Sequence, residues 1–455
     1  MPTTTARNRP APAPAPGGRS PAVALTTAML GFALITLDTS VVNVALPAIG
    51  ADLGTGLSGL QWVVDAYTLA FAALLLSTGA LSDRVGASRA YAAGVVVFTL
   101  ASAACGLAPG LSSLVAARVV QGVAAAVMLP ASLALVREAY ADPARRGRAV
   151  SLWAAGGTVT VALGPVAGGA LTSAWSWRGI FFINLPLGLL ALVLLGRVAR
   201  SERRPAPLDV PGQLAAVVGL GALTYAAIEG GTAGLWALGV AVVAFAAFLV
   251  AEARSPHPLV PPGLLRSAGV AVPLAAGAAA SVAFYGMVFV LGLYFQQVLG
   301  LSALGAGLMF LPMTALLAGV NLLSARVAAR RGPRLPIVTG QAVAVLGLLA
   351  LLGVDYGDPD LSRPLLAVLM VPLSLGVGFA LPPLIAAMME AVPAERAGTA
   401  AGLLNAVRQT AGGLSIAVFG SLVAGGFATG VRASLLVSAV LLAVTALAST
   451  RLPRR

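Results

Sequence analysis

The sequence predicts an all-α, polytopic membrane protein, and three observations carry that prediction. Of the 455 residues, 59% are hydrophobic and only 9% charged, against about 25% charged in an ordinary soluble domain. With a mean hydropathy of +0.95, too few polar side chains remain to cover a water-facing surface. The apolar residues fall in long unbroken runs rather than in the ~10-residue alternating segments of a β-barrel. The basic residues are divided unequally between successive loops, as the positive-inside rule requires of threaded helices.

Residues 1–21 are a Pro/Ala/Gly-rich polar tail, expected to be disordered and cytoplasmic. The apolar run that follows passes residue 45 and carries Asp38, which reads as a first span rather than a cleaved signal peptide. Fourteen segments of spanning length follow, near 22–48, 60–80, 90–108, 112–136, 148–171, 179–198, 210–228, 234–252, 268–298, 303–325, 335–354, 364–389, 397–424 and 431–450. The seventh and eighth form a tight hairpin around Glu229-Gly230-Gly231. An even number of spans puts both termini on one side. With that side cytoplasmic, 23 Arg fall in the inside loops and tails and three (Arg178, Arg363 and Arg432) outside. The localisation this predicts is the cytoplasmic, or inner, cell membrane. It also accounts for a net charge of +13 without a nucleic-acid partner. Trp62, Trp175, Trp177 and Trp236 fall at outer ends and suggest an interfacial belt.

Loop residues 81–89 (LSDRVGASR) and 323–331 (LSARVAARR) form a faint repeat, and six-helix repeats are a transporter architecture. The expected organisation is an N-terminal six-helix bundle over 22–204, an inserted hairpin over 205–254, and a C-terminal bundle with a short tail over 255–455.

Composition excludes much chemistry. The chain has no Lys, hence no phosphate-loop or Schiff-base lysine. Cys105 and His257 each stand alone, which leaves no intrachain disulfide, thiolate cluster or multi-His metal site. No metal, cofactor or catalytic constellation is expected, and the protein is read as not an enzyme.

The residues that break the apolar pattern carry the functional reading. Asp38 lies roughly 13 Å inside the first helix at 1.5 Å per residue, and a carboxylate at that depth is a functional candidate by default. Arg118 lies at a similar depth in the fourth helix, with Gln121 one turn on along the same face. An Arg there modulates an acid rather than carrying the proton itself. A permanently paired structural Asp is the alternative. Asp65, one to two turns inside the second helix, is either a contact for a cationic substrate or outer gate, or a solvated vestibule residue. Asn43, Tyr285, Phe289, Asn321, Asn405, Arg408 and Gln409 are candidates for lining a cavity. No acid occurs between Glu252 and Asp355, which argues against a polycationic substrate.

In the loop between helices 2 and 3, Gly79, Asp83, Arg84, Gly86 and Arg89 combine a glycine turn with charges able to latch one face. In the fifth helix Gly156, Gly157, Gly164, Pro165, Gly168 and Gly169 form a small-residue run suited to close helix packing.

LDTSVVNVALPAI (37–49), QWVVDAYTLAFA (61–72), GALSDRVGASR (79–89), RVVQG (118–122), GGTVTVALGPVAGGAL (156–171) with WSWRGIFFINLPLG (175–188), and AERAGTAAGLLNAVRQTAGG (394–413) occur in order along the chain. Together they resemble the major facilitator superfamily, and within it the fourteen-helix drug/proton antiporters, over nearly the whole chain. The resemblance implies a proton-coupling role for Asp38 and the Arg118 motif, and a cytoplasmic gate at Gly79–Arg89. It marks Gly157, Gly164, Pro165, Gly168 and Gly169 as an antiporter motif. Ala87 and Ser88 replace basic residues usual in the gate motif. The expected fold is the major facilitator fold. The expected function is proton-driven export of lipophilic drugs or antibiotics by a monomer with no obligatory protein partner. The alternative is a proton-coupled carrier of an amino acid or organic acid.

Overall fold

The computed structural model describes residues 20–203, 209–255, 263, 267–356, 362–393 and 397–452. The polar tail (1–19), His257, Asp358, Asp360 and Glu395 lie outside the described residues.

The first half comprises α1 (Pro21–Leu53), α2 (Leu57–Val85), α3 (Ala87–Gly106), α4 (Leu111–Ala139), α5 (Pro143–Ala174), α6 (Gly179–Phe182) and α7 (Asn184–Leu195). A hairpin follows, α8 (Val210–Glu229) and α9 (Gly231–Arg254). Next come α10 (Ala268–Leu293), prolonged by a π turn Tyr294–Val298, then α11 (Ala303–Ala315), α12 (Leu317–Arg331) and α13 (Arg334–Leu352). The chain closes with α14 (Arg363–Leu369), α15 (Val371–Glu390), α16 (Ala397–Ala424) and α17 (Phe427–Ser449). Among the described residues twelve helices are long and apolar enough to cross a membrane, while Gly179–Leu195 is a shorter apolar stretch. The 28-residue α16 carries Asn405, Arg408 and Gln409 and packs against α10 and α2.

Proline explains two interruptions. Pro186 and Pro372 have no N–H to offer the carbonyls of Phe182 and Val368, and the helices break between, at Ile183 and Met370. The hairpin turn is made by Gly230 and Gly231, at φ +59 and +57, a left-handed region that favours glycine. The two copies of the loop repeat end differently. Gly86, at φ +93, stops α2, whereas Ala328 at the matching position lets α12 run on to Arg331.

Within the first set, α2 and α3 pack on α4, α1 on α5 and α4, and α7 on α1 and α3. Within the second, α10 packs on α16 and α17, and α13 on α15 and α17. The sets meet along two seams, α5 against α11 and α2 against α16. Polar bonds tie the two sets together in the half nearest the α1–α2 turn. Gln61 Nε2 donates to the carbonyls of Ile416 (3.0 Å) and Ala417 (2.6 Å). Gln296 Nε2 donates to Val44 O at 2.9 Å, and Leu304 N to Ser173 Oγ at 3.1 Å. A continuous apolar core crosses the same region, with Val42, Leu46, Val63, Phe289, Phe310 and Phe419 all buried.

The hairpin leans on α2 and α16 through α8. Its polar anchors go to α2. Gln213 Nε2 donates to Ala73 O at 2.6 Å and Gln213 Oε1 accepts from Ser77. At the other end Trp62 Nε1 donates to Glu229 Oε1 at 2.9 Å.

Candidate functional site

A closed polar network sits where six helices of the first set converge. Asp38 on α1 is fully buried and Arg118 on α4 nearly so. Arg118 Nη1 forms an ion pair with Asp38 Oδ2. It also donates to Gln121 Oε1 at 3.0 Å, while Arg118 Nε donates to Val63 O on α2 at 3.0 Å. The other carboxylate oxygen, Asp38 Oδ1, accepts from Gln121 Nε2 at 3.1 Å and from Asn184 Nδ2 on α7 at 2.9 Å. Asn184 Nδ2 also reaches Ser102 Oγ on α3 at 3.0 Å, and Ser102 Oγ donates to Phe181 O at 2.8 Å. Cys105 Sγ donates to Gln121 Oε1 at 3.2 Å. The Tyr67 ring covers the guanidinium at 4.4 Å. Two buried charges tolerate removal from water only with such geometry, since breaking a buried pair costs roughly 3–5 kcal/mol. The spacing of Arg118 and Gln121 places both on the face of α4 that meets Asp38.

The structure thus brings Asp38, Arg118 and Gln121 together. Sequence reasoning missed Asn184, Ser102, Cys105 and Tyr67. Asn184 had one legible signal, a polar side chain at the head of the apolar run NLPLGLLALVLL. Ser102 and Cys105 sit in an Ala-rich helix where neither stands out.

Beside this network, a cavity lies between α1, α2, α10 and α16. Thr39, Asn43, Val64, Thr68, Tyr285, Gln409, Gly412 and Ile416 line it. Its volume of about 10 Å³ admits at most a single water. Three expected cavity residues, Asn43, Tyr285 and Gln409, therefore meet. Asn43 Oδ1 is buried without a partner, while its Nδ2 donates to Thr39 O at 3.1 Å. Asp65, next in sequence to the lining residue Val64, is fully buried, with neither carboxylate oxygen hydrogen-bonded. Its Oδ1 lies 3.3 Å from where a Cβ would stand on Gly413 of α16. The solvated-vestibule reading of Asp65 is corrected by this burial: the α2–α16 seam covers it. Arg408 Nη1 reaches Asn405 Oδ1 at 3.4 Å, and its Nε is buried without a partner. Phe289 is packed into the apolar core, away from the cavity lining. Asn321 lies elsewhere, its Oδ1 buried without a partner beside Gly378 on α15. A wider depression of about 490 Å³ opens near the α1–α2 turn, bounded by Pro47, Thr55, Leu60, Gln297 and Phe427.

The glycine run of α5 is a double packing face. Cβ atoms on Gly157, Gly164 and Gly168 would strike Phe32, Ser40 and Val41 of α1. One on Gly169 would stand 2.5 Å from Ala303 O of α11, and the Pro165 carbonyl presses on Gly307. The run seats α5 against both sets at once.

The expected loop between helices 2 and 3 is corrected: Gly79, Asp83 and Arg84 belong to α2 and Arg89 to α3, with Gly86 alone between the helices. Gly79 faces open space, and Asp83, Arg84 and Arg89 are exposed. Arg89 Nη1 donates to Val85 O at 3.3 Å. Among the described residues Asp83 has no ion-pair partner. Ser88, one of the two replacements in the motif, exchanges bonds with Ser201: Ser88 N to Ser201 Oγ at 3.0 Å, and Ser201 N to Ser88 Oγ at 2.9 Å. Ser201 Oγ donates in turn to Glu138 Oε2 at 2.5 Å.

The tryptophan belt needs one correction. Trp175 and Trp236 are 69% and 79% exposed, but Trp177 is buried. Its Nε1 donates to Asp52 Oδ2 at 3.0 Å, and the same carboxylate pairs with Arg178 of the α5–α6 turn.

Residues 28–416 match the Major Facilitator Superfamily. The chain belongs to that superfamily. Multidrug resistance protein Stp of Mycobacterium tuberculosis is 38% identical over 420 residues, covering 89% of this chain and 76% of that protein. The methylenomycin A resistance protein of Streptomyces coelicolor is 38% identical over 414 residues, covering 89% and 86%. The tetracenomycin C resistance and export protein of Streptomyces glaucescens is 34% identical over 417 residues, covering 89% and 76%. Among solved structures, a POT family transporter in complex with 5-aminolevulinic acid aligns with a TM-score of 0.70 at 16% identity, over 94% of this chain and 96% of that one. A bacterial homologue of the lysosomal transporter Spinster aligns at 0.68 and 18% identity, over 96% and 98%. These neighbours share the major facilitator fold. The superfamily and its structural neighbours point to a transporter, and the buried ion pair and central cavity are features of this superfamily member.

Proposed function

We propose that this protein is a proton-coupled antiporter that exports lipophilic drugs or antibiotics across the cytoplasmic membrane by alternating access. The observation that carries the reading is the Asp38 network, one residue along α1 from a cavity-lining threonine. Asp38 and Thr39 are adjacent, so the same turn of α1 carries the ion pair on one face and the cavity on another. Tyr67, stacked on Arg118, is likewise adjacent to the cavity residue Thr68. Protonation of Asp38 would remove the charge that Arg118, Gln121 and Asn184 hold, freeing α1 and α2 to reorient around the cavity. The resistance proteins to which the chain is similar support a drug as the substrate.

In this reading the chain has fourteen spans, the twelve long apolar helices together with Gly179–Leu195 and Ala397–Ala424. The transport unit is the bundle over 22–204 rocking against that over 255–455, with the hairpin over 205–254 riding on α2. Both termini are cytoplasmic, in keeping with the Arg-rich loops. The seam contacts around Gln61 then close the outer face, and the Gly79–Arg89 segment at the α2–α3 junction forms the cytoplasmic gate. The protein acts as a monomer on a small lipophilic substrate and protons.

The test uses inverted vesicles energised to an acid lumen. Addition of lipophilic cations or neutral antibiotics is expected to raise lumenal pH only in vesicles that contain the protein. No response from folded protein across the panel would overturn drug/proton exchange.

A further inference from the structure

Two ionisable side chains of the central region are incompletely answered by the protein. Asp65 is completely buried, and neither of its oxygens accepts a hydrogen bond. Arg408 has a buried Nε with no partner and a single long bond, 3.4 Å, from Nη1 to Asn405. Among the described residues neither belongs to an ion pair. The contrast with Asp38 and Arg118 is sharp, because those two satisfy each other directly. A buried polar group without a partner is costly, and a ligand that supplies the partner recovers that cost on binding.

Neither group lines the cavity in this state, but each lies next in sequence to residues that do. Asp65 points at Gly413, the neighbour of the lining residue Gly412. Arg408 is the neighbour of the lining residue Gln409. Its stem lies against Gly277 of α10, with Cγ and Cδ 3.2 and 3.4 Å from where a Cβ would stand. Two turns further along α10, Tyr285 reaches the cavity. Gly413 and Arg408 are five residues apart on α16, roughly 7.5 Å along the axis. The lining between them is uncharged, supplied by Thr39, Asn43, Thr68, Tyr285 and Gln409.

We propose that this cavity selects a dipolar substrate, an amphipathic molecule carrying an ammonium and an acidic oxygen several ångströms apart. Asp65 receives the ammonium and Arg408 the acidic oxygen. The inference rests on the drug-export reading above and narrows its substrate class. One acid and one base present a balanced pair to the ligand. A zwitterion satisfies both, whereas a simple cation or anion leaves one of the two groups unpaired. The cavity as it stands is too small for such a molecule, so the substrate enters when α2 and α16 part.

The experiment measures binding of three matched probes to purified full-length protein. They are a zwitterionic fluoroquinolone, its methyl ester (cation only) and its N-acetyl derivative (acid only). The wild type is expected to bind the zwitterion about tenfold or more tightly than either derivative. Arg408→Gln should abolish the preference over the ester and Arg408→Lys should partly restore it. Asp65→Asn should abolish the preference over the N-acetyl compound. Equal affinities in the wild type, or preferences unchanged in both variants, would overturn the proposal. So would failure to bind any of the three by protein that still exchanges protons for tetraphenylphosphonium in vesicles. That last result leaves the export reading standing, whereas absence of proton exchange with every compound removes the export reading itself.

Discussion

Asn184 donates to Asp38 Oδ1 at 2.9 Å, and so ties α7 to the buried acid of α1. The same Nδ2 reaches Ser102 on α3, so one amide links α7 to both α1 and α3. Hydrogen bonds to a charged group are worth about 1.5–3 kcal/mol. Asn184→Ala is therefore expected to lower thermal stability in detergent by several degrees and to slow proton-driven transport. Asn184→Ser, which keeps a short donor, should lose less. A melting temperature equal to wild type would show that the bond does not matter to stability.

Asp38→Asn keeps the shape of the side chain but cannot exchange a proton. The expected result is loss of uphill, pH-driven transport while substrate counterflow between equilibrated compartments persists. The two assays on the same vesicle preparation separate coupling from binding, and retained uphill transport would exclude Asp38 from coupling.

Arg118 engages Asp38, Gln121 and the Val63 carbonyl at once and lies under Tyr67. A lysine has no planar fork to reach three acceptors. Arg118→Lys should therefore reduce vesicle transport at least about tenfold, despite conserving the charge, and near-normal rates would contradict this.

The two glycine motifs should respond oppositely to a methyl group. A Cβ on Gly164 would stand 2.5 Å from Ser40 Cβ, whereas one on Gly79 meets open space. Gly164→Ala is expected to destabilise by about 1–3 kcal/mol through overpacking. Gly79→Ala should change the melting temperature little. Thermal unfolding of the two variants side by side checks the pair.

Crosslinks distinguish the seam that opens from the helices that travel together. In a Cys105→Ser background, a disulfide from Gln61→Cys and Ala417→Cys would pin α2 to α16, where Gln61 now bonds the Ala417 carbonyl. It should arrest transport until reduced. A bridge from Ala73→Cys and Gln213→Cys joins α2 to the hairpin, where a bond already exists, and should leave transport intact. Arrest by the second crosslink would show that the hairpin moves relative to α2.

The sequence alone determined that this chain is a multi-helical membrane protein, because composition and Arg placement answer directly to the bilayer. It also marked Asp38 and Arg118, since a charge deep in an apolar run is costly and rarely kept without a role. The small-residue run of α5 was equally legible as a packing face, though not its two partners, α1 and α11. Only the tertiary structure decided what compensates Asp38 and what does not compensate Asp65. Both are buried acids in apolar helices, and they differ in whether the facing helix presents Arg118 or the bare Gly413. That choice depends on the rotation and depth of helices far apart in the chain. A helix that is apolar on every side carries no periodicity to reveal either. For the same reason Trp177 read as an interfacial residue until the α5–α6 turn folded it onto Asp52. The bilayer selects which segments become helices, and only side-chain packing between them selects which polar groups meet.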